Sequence, residues 1–260
     1  LNLVVNTAGA LGTGAANLTV ANDDFETSTT LTSQIGATNT VNIGYQIAAG
    51  SSDYSALGTN ALNSTTYNGG AYAGSQNVTF GKAAGMASKS HNITTGSAND
   101  RVDLSYMTTS AANTVAGYAL SSYLLNTVIA MGAQAAAGAD ELVLSATLAD
   151  PRVVVAQDPT YDGYFQNWTG IETLTINNRN AIGSSYVALD AYAQTNDSGL
   201  NVVNFNDVSG TLALGFRFTN NMTVNVDAAG AGVNQQTAKT TTINSFSTAN
   251  LTLNVDESYG

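Results

Sequence analysis

The chain is 260 residues long and 43% hydrophobic, but only 10% of it is charged, against about 25% in an ordinary soluble domain. With 18 acidic and 7 basic side chains its formal net charge is −11, which excludes nucleic acid as an attractive partner because a phosphate backbone would be repelled. It has no cysteine, which excludes disulfides, thiolate metal sites and a cysteine nucleophile.

The polar share is carried by Thr, Asn, Ser and Gln, side chains that suit strands and stacked turns. The opening LNLVVNTAG reads as a strand already under way and lacks the basic start and apolar run of a signal peptide, so 1–260 is expected to be a β-rich segment of a longer chain. Gly12 and Gly14 follow that strand as a dinucleotide loop would. Asn17 stands where the last glycine belongs and LTV follows in place of a helix, so the stretch reads as a turn. Period-two alternation comes next, at Leu18 and Val20, then at Val41, Ile43, Tyr45 and Ile47, Val78 and Phe80, and Val102 and Leu104.

One stretch departs from this pattern. Around 111–137 the chain is rich in Ala and Leu, and Val115, Tyr118, Leu125 and Ile129 are spaced as on one face of a helix, so a helical insertion is expected there. The most apolar window, Ala116 to Ala137, contains Ser121, Ser122, Asn126 and Gln134 and falls short of the roughly 20 apolar residues of a membrane span. Alternation resumes at Leu142 and Leu144, a weak domain boundary is expected near Asp150–Pro151, and Leu174 and Ile176 open a series of short strands. These are Tyr186–Leu189, Val202–Phe205, Leu212–Phe218, Met222–Val226, Ile243–Phe246 and Leu251–Val255. The fold class is therefore all-β, either a repetitive β-solenoid of the β-helix or β-roll kind or a β-sandwich. The recurring words NLTV, NVTF, NITT, TVNVD and LTLNVD favour the solenoid.

Candidate chemistry is sparse. His91 is the only histidine and sits in SKSHNITTG, read as a loop or strand start with no chemical role. The carboxylates Asp23, Asp24 and Glu26, and the pair Asp158 and Asp162, read as solvated turns or cation sites. The sharpest local signal is TTGSANDRVDLS: Gly96, Asp100 and Val102 take the second-glycine, aspartate and anchor places of the calcium-binding pattern G-G-x-G-x-D-x-U-x. AAAGADELVL repeats it with Gly138, Asp140 and Leu142. Hard oxygen ligands for calcium would come from Asp100, Asn99, Asp103, Asp140 and Glu141; a turn without an ion is the competing reading. The N-x-Ser/Thr sequons, among them Asn17, Asn63, Asn77, Asn92, Asn167, Asn221 and Asn250, read as composition in a chain rich in Asn and Thr.

The run from GADELVLSAT through FQNWTGIETLTINN resembles bacterial surface-layer proteins and RTX-type adhesins, carried by Gly138 to Leu144 and Trp168 to Ile176. The resemblance implies a non-enzymatic, extracellular cell-surface protein whose partner is itself, assembled into a lattice or filament and organised by calcium. Tandem G-G-x-G-x-D arrays, which the family carries, are missing here. A second reading is an adhesin module for cell-surface polysaccharide or another cell, with Tyr161, Tyr164, Phe165 and Trp168 as a sugar platform, although aromatics packed in the core are the preferred reading of that cluster. A third is a secreted β-helical polysaccharide-degrading enzyme, for which Arg101, Arg152, Arg179 and Arg217 would have to converge.

Overall fold

The computed structural model describes residues 2–5, 28–33, 41–43, 66–80, 91–104, 113–115, 118–120, 127–132, 139–145, 167–177, 184–189, 199–208, 211–216, 221–228, 241–245 and 250–256. Nearly all of them lie in parallel β-sheet. A first sheet takes, in spatial order, Asn2–Val5 (β1), Ser28–Ser33 (β2), Thr66–Asn68 (β4), Asn92–Thr94 (β6), Val128–Ala130 (β10) and Trp168–Thr169 (β12). A second takes Val41–Ile43 (β3), Gln76–Thr79 (β5), Arg101–Asp103 (β7), Glu141–Ser145 (β11), Thr173–Asn177 (β13), Val202–Val208 (β15), Met222–Ala228 (β17) and Leu251–Asp256 (β19). A third holds Ser184–Leu189 (β14), Thr211–Phe216 (β16) and Thr241–Ser245 (β18). Every neighbouring pair in these three sheets is parallel, and after β1 and β2, which pair directly, the chain moves between sheets so that each strand pairs with one laid down two or more elements later. Parallel pairing requires a crossover between partners, which is why no hairpin turn joins them.

The alternation read from the sequence sets the register. In the first sheet Tyr67, Ile93, Ile129 and Trp168 stand in one hydrogen-bonded column, all fully buried. In the second, Val78, Val102, Leu142, Leu174, Val203 and Val224 form a buried column, and Phe80, Leu104, Leu144, Ile176 and Phe205 lie buried two positions on. The two sheets share this core, since the Tyr67 ring meets Phe80 edge-on at 6.4 Å. Each fully buried aliphatic side chain contributes about 1.5–3 kcal/mol, against about 1 kcal/mol net for a hydrogen bond, so the columns dominate stability and the polar contacts fix register. At the centre of the second sheet Val143 is buried as well as Leu142 and Leu144, so β11 is covered on both faces, as parallel strands usually are.

Close approach between successive strands is bought with glycine at the ends of the first-sheet strands. A side chain at Gly132 would strike the Gly96 carbonyl, and one at Gly170 would strike the Met131 carbonyl. Gly170 also holds a φ of 75°, the left-handed region that disfavours any Cβ.

The helix expected around 111–137 gives way to strands wherever that stretch is described. Asn113–Val115 (β8) and Tyr118–Leu120 (β9) form an antiparallel pair, and β10 joins the first sheet with Ile129 between Ile93 and Trp168. Helix propensity separates Ala and Leu from Val and Ile by less than about 1 kcal/mol per residue, so the burial of Ile129 and a full set of ladder bonds outweigh it. No helix among the described residues is long and apolar enough to cross a membrane. Strands on either side of Asp150–Pro151, β11 and β13, pair directly over five residues. Leu18, Val20, Gly12, Leu125 and the segment around Asp158 to Phe165 lie outside the described residues.

Candidate functional site

The predicted cation ligands fall on five successive residues of β7 and its approach and on the matching start of β11. Asp100 and Asp140 are 40 residues apart in the chain, yet the Asp100 N–H donates to Asp140 Oδ1 at 2.7 Å. The contact is one rung of a longer series. The Gln76 N–H donates to Asp100 Oδ1 at 2.7 Å, and the Asp140 N–H donates to Glu172 Oε2 at 2.7 Å. At the mouth of each strand, one carboxylate therefore captures the backbone N–H of the equivalent residue in the strand before. Such bonds to an anion are shorter and stronger than neutral ones. The carbonyls of the same residues continue the sheet: Asp100 O accepts from the Glu141 N–H at 2.8 Å and Asp140 O from the Thr173 N–H at 2.9 Å.

This row faces the interior. Asp100 and Asp140 are buried, at 2% and 0% exposure. Gln76 is buried beside them, accepting from the Tyr67 hydroxyl at 2.7 Å and donating to the Gly69 carbonyl at 3.1 Å. Burial pushes the Asp100 carboxyl up from 3.8 to about 6, against the pull of the Thr95 hydroxyl and the Gln76 and Gly96 N–H groups. Asp100 Oδ2 and Thr95 Oγ1 are both buried, and the Thr95 hydroxyl is a donor that favours the charged carboxylate. Tyr67 is held neutral, its pKa raised first by burial and then by the Asp100 and Tyr72 charges.

The other predicted ligands are turned to the opposite face, because neighbouring residues of a strand point to opposite sides. Arg101 Nε donates to Glu141 Oε2 at 3.0 Å and its Nη2 to Asp103 Oδ2 at 3.0 Å, so one guanidinium neutralises both carboxylates. Glu141 also accepts from Thr175 Oγ1 at 2.5 Å. From there an amide ladder runs on: Asn204 Nδ2 to Thr175 Oγ1 at 3.1 Å, Asn225 Nδ2 to Asn204 Oδ1 at 2.7 Å, and Asn254 Nδ2 to Asn225 Oδ1 at 2.8 Å. Asn99 is exposed on the approach to β7.

The sheet thus divides the five predicted ligands instead of gathering them. Asp100 and Asp140 face inward with one oxygen each on a backbone N–H, while Asp103, itself buried, and the part-exposed Glu141 lie on the opposite face against Arg101. Among the described residues no group of three or more His, Asp or Glu side chains is arranged to hold a metal ion. This donor set does not fit one calcium site. What the arrangement can do chemically is lock strands in register: each rung joins two strands that are 21 to 40 residues apart in the chain.

The geometry also places two residues singled out in the sequence. His91 stands immediately before β6, at the strand start that was one of the two places read for it, and is buried at 3% exposure; its ring packs on Phe80 at 5.0 Å and its backbone N–H donates to Thr127 Oγ1 at 3.2 Å. Trp168 is fully buried with its Nε1 donating to the Thr127 carbonyl at 3.0 Å, so it is a core column residue and no part of an exposed sugar platform. The amide ladder was missed in the sequence, although the asparagine directly following an apolar residue in Val203–Asn204, Val224–Asn225 and Leu253–Asn254 was a usable signal. No protein-family model, no curated protein and no solved structure matches the chain.

Proposed function

We propose that the chain is a structural protein of the cell surface, a β-solenoid segment that assembles with its own copies into a lattice or filament. The observation that supports this reading best is the rung-by-rung register. Apolar columns, a carboxylate row and an amide ladder all run perpendicular to the strands across successive segments of chain. Sheets that alternate along the chain and stack parallel strands in register are the pattern of a coil repeated along an axis, whereas a sandwich is dominated by antiparallel neighbours. Every identified side-chain constellation here holds strands together. A rigid rod with few lysines and arginines presents few sites to trypsin-like proteases, which suits an extracellular scaffold.

Assembly in this reading runs on strand and side-chain contacts, and no step is assigned to calcium. The test is electron microscopy of the purified 260-residue chain over a range of concentrations, with calcium and with a chelator. Ordered sheets or filaments support the proposal, and their loss on chelation would restore calcium as the organiser through residues other than Asp103 and Glu141. Single particles under every condition would overturn it.

A further inference from the structure

We propose that the outer face of the first sheet is the surface by which one copy of this chain meets a second copy, an inference that rests on the assembly reading above. The six strands of this sheet read NLVV, STTLTS, TYN, NIT, VIA and WT, without one charged residue. The second sheet, by contrast, carries Arg101, Asp103, Glu141, Asp207, Asp227 and Asp256 within its strands. Two copies, each at −11, repel wherever their acidic surfaces face one another, so close approach is favoured where charge is absent.

The side chains on this face are Thr66, Asn68, Asn92, Thr94, Val128 and Thr169, alternating with the buried column of Tyr67, Ile93, Ile129 and Trp168. Asn68, Asn92, Val128 and Thr169 are exposed, and Val128, at 41%, is one of two large hydrophobic residues exposed among the described residues. In-register parallel strands set these groups on a grid of about 4.8 Å between strands and about 6.6 Å along them. Asn and Thr both donate and accept, so two such grids are self-complementary when turned face to face about a two-fold axis. Uncharged, Asn-bearing sheet faces of this kind pack as dry, interdigitated interfaces. Size then decides the behaviour. The four strands whose side chains are described, β4, β6, β10 and β12, span only about 14 Å, and with one or two residues showing per strand the face falls well below the roughly 800 Å² per partner of a stable pair. The contact is therefore weak alone and holds when many act together, which gives single chains when dilute and arrays when concentrated.

The test compares the wild-type chain with Asn92→Lys/Thr169→Lys on this face and Ser97→Lys/Asn99→Lys on an exposed turn. Both variants move the formal charge from −11 to −9, so general repulsion falls equally in each. Assembly is read by sedimentation and electron microscopy, and folding by the thermal melt. The expected result is that wild type and turn variant assemble alike, while the face variant keeps its melt and needs at least tenfold more protein. A face variant that assembles like wild type overturns this inference and leaves the assembly reading standing; a wild-type chain that never assembles overturns both. Should the lysines unfold the sheet, Val128→Cys in this cysteine-free chain gives a second measurement. A short bis-maleimide should then link two copies in assembled samples, and no link at Val128→Cys, with links at Ser97→Cys, overturns the inference.

Discussion

Two polar series cross the same sheet, and they are built from different chemistry. Between β5 and β13 the inward row is made of carboxylates, each taking a backbone N–H from the strand before. Between β13 and β19 the outward row is made of amides, each donating to the one before. A carboxylate only accepts, so it cannot stack on another of its kind and must borrow a donor from the backbone or from Arg101. An amide donates and accepts at once and repeats indefinitely. The acidic series is therefore limited by its supply of donors and carries the cost of buried charge, while the amide series can be copied from strand to strand.

The largest expected effect lies outside both series, at a close approach between first-sheet strands. Gly170→Ala places a Cβ against the Met131 carbonyl at a positive φ, and should lower stability by at least about 3 kcal/mol in a urea melt. Converting one series into the other is the next test. Asn225→Asp sets a carboxylate oxygen against Asn204 Oδ1 where an Nδ2 donor now sits, and should cost about 2 kcal/mol at neutral pH, recovering when the new acid is protonated.

The reverse exchange should have the opposite sign. Because Asp100 is raised from 3.8 to about 6, the folded chain holds its proton more tightly than the unfolded chain does. Its contribution is full below about pH 4 and is lost as pH climbs through 6, by about 2 kcal/mol. Asp100→Asn keeps an acceptor for the Gln76 N–H and offers Thr95 Oγ1 a donor at every pH. Melts across pH 4 to 7 should show it about 2 kcal/mol more stable than wild type at neutral pH and nearly equal in acid. The smallest effect is expected at Glu141→Gln, which weakens a half-exposed ion pair while retaining an acceptor for Thr175, and should cost about 1 kcal/mol or less.

Much of the fold was legible because period two survives in short strands. Val78 and Phe80, Val102 and Leu104, Leu142 and Leu144, and Leu174 and Ile176 each stand in the core columns that their alternation announced. The calcium-motif comparison made Asp100 equivalent to Asp140 and Val102 to Leu142, and these residues are indeed register partners or neighbours across one rung. The equivalence was visible; the chemistry was not, because a nine-residue pattern does not say that the next residue, Arg101 or Glu141, points the other way. β10 was hidden for a different reason. A three-residue strand carries a single alternation, and Val128–Ala130 lies in an Ala-rich stretch whose helical spacing is as regular as its strand spacing. For Trp168 core packing was the preferred reading over a sugar platform, and its place beside Ile129 agrees; aromatic clusters look alike in sequence whether they face water or a core.

The separations along the amide and carboxylate series are uneven, at 24, 40, 32, 29, 21 and 29 residues, while the rungs stay in register. The chain length spent between rungs is thus independent of the geometry of the rungs themselves. Doubling such a connection costs only about 0.6 kcal/mol of closure entropy. A molecule built this way can take new sequence into its connections without disturbing the frame, so it can vary what it displays far faster than it varies how it stands.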